Sequence, residues 1–118
     1  MARAYRNPAF WVRSLKAEGK HPRVAVDFSG LLLENLKKMN EMPSQKDVDG
    51  NVIGDTIKLW RQVLHEFPDS IEFSGTAYAH CYFPLTPEED WKSQISLWRK
   101  VFCQLFGPEP LGRVRGFW

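Results

Sequence analysis

The sequence predicts an α+β fold: a single small domain, residues 1–118, in which a few-stranded antiparallel sheet is covered by about four helices. Three observations predict it. Two short segments, 23–28 and 71–83, alternate apolar and polar residues with the two-residue period of a strand. Longer segments repeat apolar residues at helical spacing, each bounded by capping or breaking residues. The chain also has 118 residues, the length of one domain and enough to bury a core without disulfides.

A basic helical segment comes first, within residues 1–23. Asn7-Pro8 reads as its start, Asn as the N-cap and Pro in the first helical position, and Gly19 as its stop. Phe10, Trp11 and Leu15 are expected to face inward, with Arg13 and Lys16 outward. "RVAVDF", 23–28, puts Val24, Val26 and Phe28 on one face of a strand. Ser29 caps the next helix, "GLLLENLKKM", whose Lys37 and Lys38 suit its negative end.

The polar connection 43–55 offers Asp49-Gly50 or Gly50-Asn51 as a hairpin tip, and Asp55 as the cap of a third helix. That helix turns Ile57, Trp60, Leu64 and Phe67 inward. In the strand 71–83, Phe73, Cys81 and Phe83 share one face, while Glu72, Tyr78, His80 and Tyr82 share the other. This parity separates His80 from Cys81, so the adjacent pair does not read as a catalytic dyad. In "LTPEEDW", Thr86 caps the last helix and Pro87 opens it. Its apolar stripe is Trp91, Ile95, Trp98, Phe102 and Leu105, ending at Gly107. The basic tail, 107–118, is expected to be irregular. "VDFSG" at 26–30 echoes "IEFSG" at 71–75, but the flanks differ, so shared strand-and-turn physics explains the echo better than duplication.

Composition narrows the function classes. Aromatic residues make up 14% of the chain, including five tryptophans, which argues against disorder. Cys81 and Cys103 are too few for a disulfide framework, and a reducing cytoplasm is expected. The opening "MARAYRNPAFWVRSLK" has no apolar core with a small-residue cleavage site, so neither a secretory signal nor a membrane span is expected; a basic first helix explains it better than a transit peptide. Charge is polarised. Residues 1–23 carry six basic side chains against Glu18 alone, whereas 24–112 carry eight bases against thirteen acids.

Few motifs announce chemistry. The histidines and cysteines lack the paired spacing of a zinc site. "DVDGN", 47–51, begins like a calcium loop, but Val52 and Lys58 stand where that loop needs glycine and glutamate. No phosphate loop, nucleophile elbow or H-E-x-x-H motif occurs, and no cofactor is expected. Asp27, Glu72 and His80 could act as acid/base groups if the two echoing strands were neighbours. Arg3, Arg6, Arg13, Lys16 and Arg23, with aromatics between them, suit phosphate pairing and base stacking. Tyr78, His80 and Tyr82 form an amphipathic stripe of the kind that anchors protein interfaces.

Together these readings favour a non-enzymatic protein-binding module, a small inhibitor or adaptor such as mobile elements direct at host machinery. Its partner would be a protein or protein complex held by the Tyr78, His80 and Tyr82 face or by the basic N-terminal helix. The alternatives are a nucleic-acid-binding accessory protein and a small enzyme using Asp27, Glu72 and His80.

Overall fold

The computed structural model describes residues 2–42, 46, 50 and 56–118. The fold is α+β, as expected, with helices far outweighing strands. Among the described residues the order is α1 (Ala2–Ala17), β1 (Val24–Asp27), α2 (Gly30–Asn40), α3 (Thr56–Glu66), β2 (Ile71–Ser74), α4 (Glu88–Phe106) and α5 (Pro108–Gly112). Most of the 43–55 connection lies outside the described residues, and with it the expected hairpin tip and the Asp55 cap. No helix among the described residues is long and apolar enough to cross a membrane.

β1 and β2 pair as a two-stranded parallel sheet. The antiparallel expectation is corrected here. A tight hairpin would have produced it, but α2 and α3 both lie between the strands, and a crossover of that length lets the second strand run in the direction of the first. The chain forms two compact units, one of residues 1–24 and 36–72, the other of 25–35 and 73–118.

In the first unit, α1 packs on α3. The expected start at Asn7-Pro8 is wrong: the helix begins at Ala2 and runs through Pro8. An interior proline removes one helical hydrogen bond and costs about 3 kcal/mol. Set against that are the full burial of Ala9 and Val12 and a 2.7 Å bond from the Trp60 indole N–H to the Tyr5 carbonyl. The inward face is corrected as well. Ala9 and Val12, three residues apart, share the buried face, and Phe10 and Trp11 turn away to stand 54% and 57% exposed. Ile57, Trp60 and Leu64 of α3 are buried as their spacing predicts, joined by Val63.

The second unit is built on aromatic rings. Phe73 of β2 meets Phe28 edge-on at 6.1 Å, Phe102 at 5.0 Å and Phe106 at 5.1 Å. Trp98 stacks on Phe102 at 5.0 Å and donates its indole N–H to the Phe28 carbonyl at 2.8 Å. The stripe of α4 is therefore core at Trp98, Phe102 and Leu105, while Trp91 and Ile95 sit at its exposed margin. Ser29 caps α2 as expected, its hydroxyl accepting from the Leu32 N–H. Thr86 does not cap α4: its hydroxyl donates back to the Tyr82 carbonyl, and the helix begins after Pro87 with Glu88, Glu89 and Asp90 in its first turn. The tail is more ordered than expected, forming α5 and then an extended segment.

Candidate functional site

The expected thirteen-residue strand ends after four residues, at Ser74. Gly75 comes next. A Cβ there would lie 3.1 Å from the Phe117 ring and 3.4 Å from the Gly116 carbonyl, so its absence lets the tail pass alongside. Gly75 N–H donates to Gly116 at 2.8 Å, and Trp118 N–H donates to the Gly75 carbonyl at 2.7 Å. This parallel bridge carries Phe117 and Trp118 to the segment that follows β2.

That segment then folds into a turn held from both sides. Tyr78 N–H and Ala79 N–H donate to the backbone carbonyl and side-chain oxygen of Gln94 on α4, at 3.3 and 2.8 Å. The Tyr78 carbonyl accepts from Leu31 N–H at the start of α2. Its ring lies across Gly30, where any Cβ would overlap it, and its hydroxyl donates to Glu34 at 2.7 Å. The hydrogen bond to Glu34, then burial, then the Glu34 charge raise the Tyr78 pKa above its ordinary value. The chain leaves the turn through His80, whose φ is 54°. Phe83–Leu85 forms a single 3-10 turn, and the Phe83 ring stands between Trp91 at 5.7 Å and Phe117 at 5.3 Å.

The result is a groove of about 510 Å³. Thr76, Cys81 and Phe83 line its interior, while His80, Tyr82, Pro84, Phe117 and Trp118 stand exposed around it. Tyr82 and Trp118 are 69% and 78% exposed. No lining side chain carries a carboxylate or a permanent positive charge. The groove can therefore stack a flat, partly apolar ligand and exchange hydrogen bonds with it through hydroxyl and imidazole groups. Among the described residues, no cluster of three or more His, Cys, Asp or Glu is arranged to hold a metal ion.

The structure regroups the residues singled out from sequence. Tyr78, His80 and Tyr82 do not form one strand face. Tyr78 is half-buried and braces the turn, while His80 and Tyr82 line the groove. His80 and Cys81, which alternation placed on opposite faces, share its wall, because the strand has ended at Ser74 and the chain passes through the left-handed His80. Asp27 is half-buried at the end of β1 in the second unit, and Glu72 is exposed on β2 in the first; neither lines the groove. In the basic set, Arg13 pairs with Glu66 at 3.0 Å and Lys16 lies over the Phe67 ring at 5.6 Å. Arg3 and Arg23 are exposed, and Arg6 is half-buried. Sequence reasoning did not bring Phe83, Phe117 and Trp118 together in one groove. The available signal was Gly75 inside a strand pattern, which marks a close backbone approach.

Residues 5–118 match the model of glycosyl hydrolase family 57. No curated relative and no solved structure matches the chain. The family match overturns the expected non-enzymatic inhibitor or adaptor, together with its nucleic-acid-binding alternative, because a glycosyl hydrolase family is a family of enzymes. The expectation failed because it looked for short local motifs, whereas the match extends over nearly the whole chain.

Proposed function

The chain belongs to glycosyl hydrolase family 57, and from that membership we propose that it serves glycoside hydrolysis by gripping a neutral saccharide in the groove of its second unit. The observation that carries this reading is the pair of exposed aromatic side chains, Tyr82 and Trp118, on a groove whose lining side chains hold no carboxylate and no permanent positive charge. A pyranose ring turns a face of polarised C–H groups toward the electron-rich face of an aromatic ring, and its hydroxyls need donors and acceptors around the edge. Thr76, His80 and Tyr82 supply groups of that kind. The carboxylate pair that glycoside hydrolysis ordinarily uses is not in the lining, so the groove's part is to hold sugar beside the chemistry. The free thiols of Cys81 and Cys103 support a reducing, cytoplasmic setting.

The test is a tryptophan-fluorescence titration with maltotetraose, cellotetraose, chitotetraose and the acidic tetragalacturonate. At least one neutral tetrasaccharide should give a saturable change, and tetragalacturonate should bind more weakly than that sugar. Trp118→Ala with Tyr82→Ala should weaken binding about tenfold, the scale of losing aromatic contacts worth about 1.4 kcal/mol. A flat response to all four sugars at millimolar concentration would refute the proposal.

A further inference from the structure

His80 is the only residue with a side chain that has a positive φ among the described residues. The left-handed region crowds a Cβ against the backbone, and glycine would occupy it freely. A histidine adopts it at a cost, and here the surroundings hold it there. On one side, Tyr78 and Ala79 are tied to Gln94 of α4 and to Leu31 of α2, and the Tyr78 hydroxyl is tied to Glu34. On the other, the Tyr82 carbonyl accepts from the Thr86 hydroxyl and from Leu85 N–H, each at 3.0 Å. The backbone on both sides of His80 is fixed, and its own N–H closes the turn on the Ala77 carbonyl at 3.2 Å.

All this bonding surrounds a side chain that takes no part in it. The imidazole is exposed on the groove wall, and neither ring nitrogen bonds to a described residue. Strain held at such a position, on a residue whose ring faces a groove, is characteristic of a binding site. A neutral imidazole offers one donor and one acceptor. Each sugar hydroxyl likewise donates and accepts, so the ring can engage two adjacent hydroxyls while the aromatic faces hold the sugar's apolar side.

We infer that His80 is a specificity-determining residue of the groove, fixed in a left-handed backbone so that its imidazole reads the hydroxyl pattern of the bound saccharide. This deepens the saccharide reading above and rests on it.

The experiment compares His80→Gly, His80→Asn and the unaltered chain. Melting temperature and affinity are measured for whichever neutral tetrasaccharide binds most tightly, and for its monodeoxy analogues. Glycine suits the backbone and removes the ring; asparagine tolerates the left-handed region and keeps one donor and one acceptor in its amide. His80→Gly should melt no lower than the unaltered chain and bind at least tenfold more weakly. His80→Asn should recover part of that loss. One monodeoxy analogue should bind the unaltered chain poorly yet bind His80→Gly as well as the parent sugar does.

Equal affinity in His80→Gly and the unaltered chain would overturn this inference and leave the saccharide reading standing. A lower melting temperature in His80→Gly with unchanged discrimination among the analogues would also overturn it, because the ring would then be structural. Failure of the unaltered chain to bind any neutral tetrasaccharide would overturn both.

Discussion

Trp98 tests the core of the second unit most directly, because its indole contributes in two separable ways. It is 3% exposed, stacks on Phe102 at 5.0 Å, and donates its N–H to the Phe28 carbonyl at 2.8 Å. Trp98→Phe keeps a ring in the cavity but removes that donor, and should cost about 1–3 kcal/mol. Trp98→Ala also empties the space between α4 and the strand aromatics, and should cost about 3–5 kcal/mol. Against a total stability of about 5–15 kcal/mol, the alanine variant loses a large fraction of what holds the fold. Urea unfolding followed by far-ultraviolet circular dichroism reads both losses. At a slope of about 1.5 kcal/mol per molar urea, a loss of about 4 kcal/mol moves the midpoint by roughly 2.5 M. The slope itself should stay constant, since the surface exposed on unfolding barely changes. Equal midpoints for the two variants would mean that ring packing adds nothing to the hydrogen bond. An unmoved midpoint in both would mean that this face of α4 is not core at all.

Two further outcomes follow from the turn and the tail. The Tyr78 pKa is raised because Glu34 accepts its proton's hydrogen bond, so the folded chain keeps that proton where the unfolded chain has lost it. Stability from this pair is fully present below the ordinary tyrosine value and is lost as pH rises through the raised one. Tyr78→Phe should therefore be less stable at neutral pH and should lose less stability above about pH 10; parallel melting-temperature profiles across the alkaline range would contradict it. Gly75→Ala places a methyl against Phe117 and the Gly116 carbonyl, and should cost about 1–3 kcal/mol while loosening the tail. Saccharide affinity should fall with it in the fluorescence titration, and an unchanged affinity would show that the tail's seat on Gly75 does not shape the groove.

Local chemistry was legible wherever it acts over a few residues. The Ser29 cap, the buried stripe of α3 and the glycine after α4 all lie where propensity and spacing place them, since each depends on neighbours within one or two helical turns. Asn7-Pro8 shows where that reasoning stops. The pair has the local form of a helix start, but Ala9 and Val12 pack on α3, and the helix continues back through the proline to Ala2. The same limit applies to Tyr78 and His80. Alternation is a property of an extended strand, and it loses its meaning once the backbone turns.

From its order of residues alone, this protein was bound to be α+β, with Trp98, Phe102 and Leu105 on the inner face of its last long helix and with strands starting near residues 24 and 71. Apolar periodicity determines those features because it acts within each segment. Tertiary structure decided that the strands run parallel, that Tyr78 braces a turn, and that His80 and Cys81 share a wall with Phe117 and Trp118. Phe117 lies 42 positions beyond Gly75 in the chain, and only the backbone bridge between them brings the tail's aromatic rings to the groove. No periodicity within either segment encodes that meeting; it depends on a missing Cβ at Gly75 and on two hydrogen bonds that form once the chain has folded.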